Sequence, residues 1–257
     1  MNFVNPKKRF GQNFLTNDKI AEDIVSFLSD SKTKTILEIG PGKGILTKKL
    51  IKKSNKKKKF IEIDSDCIEY LKIKFDGIDD DLINKDFLKI DLNSFDKPIS
   101  IIGNFPYNIS SQILFKIYEN KNIINEMVGM FQLEVAERIC SNFGTKKYGI
   151  LSVLIQAFFE VKMMKKIKPQ SFFPIPNVDS AVIRINKKND NINCNEILFK
   201  KIVKQSFGQR RKTLRNSLKI FNIPDIKKED TIFAKRPEQL SVSDFIYLTN
   251  LVDNENI

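Results

Sequence analysis

Thr35-Ile36-Leu37-Glu38-Ile39-Gly40-Pro41-Gly42-Lys43-Gly44 decides the architecture of this 257-residue chain. Its first five residues, rich in β-branched side chains, read as a short buried strand. Glycines at 40, 42 and 44 then permit a tight turn and close backbone approach. An amphipathic helix follows through Leu50. A strand, a glycine turn and a helix start make a site for a nucleotide-like ligand, because free N–H groups point at it. The spacing is not the GxGxxG of a dinucleotide fold, since position 45 is Ile.

Working outward, Phe60–Ile63 is expected to be the second strand. Glu62 lies at its end, roughly 20 residues after the glycines, where an acid accepts hydrogen bonds from both hydroxyls of a ribose. Asp64 just beyond it suits capping of a helix over 65–75. Residues 82–87 read as a third strand ending in Asp86, placed to accept an adenine amine. The run before Lys59, Lys56 to Lys58, reads with it as a solvated loop. Ile99–Ile102 is the fourth strand, and Gly103-Asn104-Phe105-Pro106-Tyr107-Asn108 follows it. That loop sets an amide, exposed carbonyls and aromatic rings at the carboxyl end of a strand, where open α/β sheets bind ligands. An amide oxygen beside an aromatic ring suits the holding of a nucleobase amine.

Further helices are expected at 17–28, 110–118 and 150–158, with strands at 125–130, 161–167 and 180–185. If the last two strands pair, the proline-stiffened loop between them reaches the same sheet end, and Phe172 or Phe173 covers a flipped base. Residues 5–16 read as an ordered lid, 186–194 as a linker, and 196–207, 210–219 and 238–251 as helices.

Composition narrows the partner. The chain carries 44 Lys and Arg against 31 Asp and Glu, a net charge of +13. A polyanion is the natural partner, although a lysine-rich composition raises charge everywhere. Residues 200–219 are more telling: eight are basic, three of these are Arg, and none is acidic. There is no histidine, and Cys67, Cys140 and Cys194 form no CxxC. Neither a metal centre nor a disulfide framework is expected, and a reducing cytoplasm fits. No signal peptide or membrane span is read from the sequence.

Glu38 with the three glycines, ExGxGxG, resembles the first motif of S-adenosylmethionine-dependent methyltransferases. Four further stretches complete a more specific likeness: Lys8–Leu15, Gly103–Ser110, Phe172–Val182 and Phe207–Asn216. In this order they resemble the ribosomal RNA adenine N6-dimethyltransferases of KsgA/RsmA type. The resemblance implies a Rossmann-like α/β methyltransferase domain over 1–188, N-terminal lid included, and a small α-helical RNA-binding domain over 189–257. It implies S-adenosylmethionine as cofactor, and as partner the 16S rRNA of the immature 30S subunit, two adjacent adenosines near its 3′ end receiving four methyl groups in all. A monomer is expected.

Carried onto this sequence, the cofactor contacts fall on Asn13, Leu15, Gly40, Gly42, Glu62, Asp86 and Asn104. Asn104 and the Phe105 carbonyl would hold the amine, with Pro106 stiffening the loop, Tyr107 under the adenine and Phe172 over it. Arg210, Arg211, Lys212 and Arg215 would take RNA phosphates. Two positions depart from the family: Phe105, where Leu or Ile is usual, and Leu133, where Lys is common. Competing readings are an Erm-type 23S rRNA methyltransferase, a non-catalytic nucleic-acid-binding factor on the same fold, and a DNA adenine methyltransferase. Arg210–Asn216 argues against the first, and the intact glycine turn, Glu62 and Asn104 against the second. The third lacks a separate DNA target-recognition domain in this chain.

Overall fold

The structure, a computed structural model, describes residues 4–29, 31–53, 55–190, 192–221, 223 and 229–253. In chain order its elements are β1 (Phe14–Leu15), α1 (Asp18–Ser26), β2 (Thr35–Ile39), α2 (Ile45–Lys53), β3 (Lys57–Glu62), α3 (Ser65–Lys74), β4 (Leu82–Asn84), β5 (Ile99–Asn104), α4 (Ser110–Glu119), β6 (Ile124–Gln132), α5 (Leu133–Cys140), α6 (Ile150–Phe158), β7 (Phe159–Ile167), β8 (Phe172–Phe173), β9 (Ser180–Lys187), α7 (Glu196–Gly208), α8 (Leu214–Ser217) and α9 (Val242–Asp253).

Seven strands form one sheet in the order β4-β3-β2-β5-β6-β9-β7. β2, β3, β4, β5 and β6 run parallel, and β9 runs antiparallel to β6. The chain leaves β2 toward β3 and β4, then returns to β5 on the other side of β2. That reversal opens a crevice at the carboxyl ends of β2 and β5. All five residues of β2 and the first five of β5 are buried, as a parallel sheet covered on both faces requires. Ile24, Leu28, Ile36, Leu46, Leu50 and Ile102 pack together on one face. Each such side chain contributes about 1.5–3 kcal/mol by leaving water.

Two compact units appear: 1–136 with 161–187, and 137–160 with 188–257. The expected boundary at 188 keeps 137–160 with the first domain, whereas the contacts of this segment group it with 188–257. The apolar helix α6 is almost wholly buried, and within the second unit Tyr148 packs edge-on against Phe207 at 6.1 Å.

Several local expectations need correction. Lys57, Lys58 and Lys59 begin β3 rather than lying in a loop. Lys59 pairs with Asp81 and Lys57 with Asp96, so the edge is charged rather than merely solvated. The third strand stops at Asn84, and Asp86 caps a short 3-10 turn, Phe87–Lys89. The helix read over 210–219 is cut to α8 with a 3-10 turn after it. Pro237 opens another short turn, so α9 starts at Val242. β9 runs on into the expected linker as far as Lys187.

One buried charge ties the sheet to the segment that follows α1. Glu126 on β6 is fully buried; it accepts from Arg184 Nε on β9 at 2.7 Å and from the Ser29 N–H and hydroxyl at 3.1 Å. Removing one partner of such a pair strands the other. Glu126→Ala is therefore expected to lower unfolding stability by about 3 kcal/mol, read by urea denaturation. A loss below about 1 kcal/mol would mean the pair is neutral to the fold.

Candidate active site

An open cavity lies at the carboxyl ends of β2, β3 and β5. It is lined by Asn13, Gly40, Gly42, Glu62, Asp86 and Leu88 from one side and by Asn104 to Ile109 from the other. The first unit thus brings together Asn13, Gly40, Gly42, Glu62, Asp86 and Asn104 to Tyr107 of the residues singled out in the sequence.

The glycine turn is conformationally demanding. Gly40 and Gly42 sit at φ 66° and 55°, a region costly for residues with a Cβ. A Cβ on Gly42 would also lie 2.9 Å from the Phe14 ring. Glu62 is buried at the end of β3. Its Oε2 accepts from Gly42 N and its Oε1 from Asp64 N, each at 3.0 Å. Burial raises its carboxyl above the usual range, while these backbone bonds work the other way. The bonds aim the carboxylate along the turn with lone pairs to spare, which fits a diol. Asp86 spends one oxygen on Leu88 N at 2.9 Å. The turn it caps is clamped by Lys116, whose Nζ donates to the carbonyls of Leu88 (2.9 Å) and Ile90 (2.6 Å). Nothing in the sequence pattern marked Lys116 for this task. Glu38 accepts from Thr47 Oγ1 at 2.9 Å, and burial pushes its carboxyl up to about 8.

The residues 4–16 close one wall. Lys7 Nζ meets Asp64 at 2.5 Å and Asp66 at 2.7 Å, and Gln12 Nε2 meets Asp64 at 2.9 Å. Val4, Phe14 and Cys67 form a small buried cluster beneath. Asp64, read as a helix cap, does cap α3, and it also anchors this segment. β1 pairs with β8, setting Phe14 opposite Phe173 and Leu15 opposite Phe172.

At the end of β5 the Asn104 Nδ2 donates to the Asn13 carbonyl at 2.8 Å. Only the amide nitrogen can make that bond, so Oδ1 is left as a free acceptor. Among the described residues neither Asn104 Oδ1 nor the Phe105 carbonyl has a protein partner, whereas the Pro106 carbonyl is taken by Ile109 and Ser110. Tyr107 is half-buried in the cavity wall, and its hydroxyl lies 2.6 Å from Ser180 Oγ. Burial raises the phenol above its usual range, so it stays neutral.

The Phe105 ring is buried and tilted against Phe131 at 5.0 Å. Room for it comes from two glycines. A Cβ on Gly129 would lie 2.2 Å from Phe105 Cε2, and one on Gly103 would lie 2.7 Å from Cε1. The departure at 105 is thus absorbed by the sheet, and Phe105 still lines the cavity.

One expectation is corrected here, and two further expected site residues are found with protein partners of their own. Phe172 does not cover the cavity: it is 2% exposed and packs with Leu15, Ile102 and Val128 in the core. The accessible ring of that loop is Phe173, 57% exposed. The strand pairing of Leu15 with Phe172 turns both side chains inward, so Leu15 lies outside the large cavity and borders only a smaller one beside it. In the second unit Arg211, Lys212 and Arg215 are exposed, but Arg210 is partly committed. It donates to the Thr145 carbonyl at 3.2 Å and lies 3.7 Å from Glu238.

This geometry is shared with known proteins. Residues 4–243 match the family model described as ribosomal RNA adenine dimethylase. The chain belongs to this family. It is 48% identical over its full length to ribosomal RNA small subunit methyltransferase A of Flavobacterium johnsoniae, covering 99% of that protein. The namesake from Bacteroides thetaiotaomicron is also 48% identical, over 98% of this chain and 96% of that one. A crystal structure of a dimethyladenosine transferase from Plasmodium falciparum superposes with a TM-score of 0.83 at 26% identity, over 95% of this chain and 98% of that one. The 23S rRNA methyltransferase ErmE shares the fold, with a TM-score of 0.70 at 24% identity over 93% of this chain and 100% of that one. The chain is accordingly a methyltransferase using S-adenosylmethionine, and the glycine turn, Glu62 and Asp86 fit that cofactor. Among the described residues no helix is long and apolar enough to cross a membrane.

Two outcomes follow from the wall and the floor of the cavity. Burial raises the Asp64 carboxyl, but the bonds from Lys7, Gln12 and Asp66 N outweigh it and hold it below the usual range. A depressed native pKa means the anchor contributes above the unfolded value near ~4 and is lost as pH falls through the native one. Asp64→Asn should weaken S-adenosylmethionine binding about tenfold, and this gap between wild type and variant should close as pH falls through the native Asp64 value. Calorimetry across pH checks both; equal affinities would detach the segment from cofactor retention. Gly129→Ala should destabilise the protein by about 1–3 kcal/mol, and Phe105→Leu should recover most of that loss. Unchanged denaturation midpoints would show that the ring can move aside freely.

Proposed function

We propose that this protein transfers methyl groups to N6 of two adjacent adenosines near the 3′ end of 16S rRNA in the immature 30S subunit, acting as a cytoplasmic monomer. The observation that carries this reading is the pair of unpartnered acceptors at the end of β5, Asn104 Oδ1 and the Phe105 carbonyl. An exocyclic amine has two hydrogens and a lone pair delocalised into its ring. Two acceptors that take those hydrogens favour a tetrahedral, nucleophilic nitrogen and direct its lone pair.

Bound S-adenosylmethionine supplies an already activated methyl group, so no tuned general base is needed. The chain's own residues bind, orient and exclude water. Glu62 and Asp86 are set to accept from ribose and adenine. Asn104 stands between that cofactor wall and Tyr107, whose ring serves as a platform for the extruded base; such stacking contributes about 1–3 kcal/mol. Pro106 restricts the backbone between the two. The single hydrogen left after a first transfer can still be held by one acceptor, which is compatible with dimethylation. Arg211, Lys212 and Arg215, exposed in the second unit, suit phosphate contacts that weaken with salt. The name of the relatives at 48% identity, a small-subunit methyltransferase, supports 16S over 23S rRNA as substrate.

Asn104→Ala is expected to cut methyl transfer to unmethylated 30S subunits by about 10²–10³, with S-adenosylmethionine affinity changed only a few fold. Tritium incorporation and calorimetry separate the two. Near-normal transfer by the variant would remove Asn104 from the reaction.

A further inference from the structure

Lys43 follows the second glycine of the turn, and the established chemistry leaves its charge unused. Its Nζ lies 5.0 Å from the centroid of Phe14 and 6.0 Å from that of Phe173. Among the described residues it has no carboxylate partner. It borders the same small cavity as Asn104, Gly40 and Phe14. Phe173 is 57% exposed, and Ile175 and Val178 on its loop are exposed too. Position 173 is held rather than loose. Phe14 pairs with it across β1 and β8, and the Thr16 N–H and hydroxyl both donate to the Ser171 carbonyl, at 2.8 Å and 3.0 Å.

We propose that Lys43 and Phe173 form a subsite for the nucleotide next to the target adenine. The ammonium takes a backbone phosphate, and the exposed ring stacks on the flanking base. This rests on the RNA substrate proposed above. Two aromatic faces attract a cation, yet leave its hydrogen-bond donors unused, and a phosphate completes them with charge-assisted bonds. A fixed exposed ring suits a base of any identity, since every base has a π-face. An apolar protein partner would gain nothing from the ammonium. Since Lys43 and Asn104 border one cavity, a group held by Lys43 adjoins the position proposed above for the substrate adenosine. Because the chain acts on RNA, the neighbouring nucleotide is the group that must pass this rim.

The test compares Phe173→Ala, Phe173→Tyr, Lys43→Gln and Lys43→Arg in the full chain with unmethylated 30S subunits. Phe173→Ala should raise KM for subunits about tenfold with kcat nearly unchanged, and Tyr should restore it. Lys43→Gln should raise KM about fivefold and reduce the slope of log KM against log salt by about one, with Arg restoring both. S-adenosylmethionine affinity should stay within about twofold of wild type throughout, since neither Lys43 nor Phe173 lines the large cavity. If cofactor affinity falls as far as KM rises, Lys43 serves the cofactor and the proposal fails. It fails equally if KM is unchanged in both the Ala and Gln variants. Dimethyladenosine in the 16S rRNA of the wild-type reaction tests the substrate reading separately. If the product appears in 23S rRNA instead, the same ratios are read on 50S subunits.

Discussion

The hydrogen bond from Asn104 Nδ2 to the Asn13 carbonyl governs the site. A carboxamide carries a donor end and an acceptor end, and rotating it by half a turn exchanges them. Committing the donor to a backbone carbonyl removes that freedom and presents the oxygen to the cavity. The carbonyl is itself held in place by distant residues. Lys7 and Gln12 anchor the segment before it on Asp64, and β1 anchors the segment after it on β8. The N-terminal residues thus orient a side chain 91 positions away, and that side chain lines the cavity.

The sheet meets a different demand at the same strand end. A loop that offers both an amide and a main-chain carbonyl must turn sharply while its next side chain goes into the core. Gly103 and Gly129 leave the space in which the Phe105 ring lies, and Phe131 closes it. A ring where a branched aliphatic is usual in the family therefore alters the packing beneath the site, and the carbonyl at its surface is retained.

The charged and aromatic residues divide by what their neighbours leave free. Phe172 and Phe173 are adjacent in sequence and opposite in fate, because successive strand residues point to opposite faces. One joins the core and the other faces solvent beside Lys43. Arg210 and Arg211 divide in a similar way, the first turned toward the Thr145 carbonyl and Glu238, the second exposed.

The local pattern of residues was enough to locate the glycine turn, Glu62, Asp86 and the loop after β5. These depend on strand ends and short spacings, and strand order in an α/β sheet brings such ends to one crevice. Five ordered motifs sufficed for the family as well. Other features rest on separations that no local pattern encodes. The Lys7–Asp64 anchor, the clamp of Lys116 on the 86–90 turn, the room made by Gly129 and the bond between Tyr107 and Ser180 each join residues from separate elements. Periodicity reports which way a side chain points along its own element. Which partner it meets there is set by strand pairing and packing, and at Phe172 that pairing turned an expected site residue into part of the core.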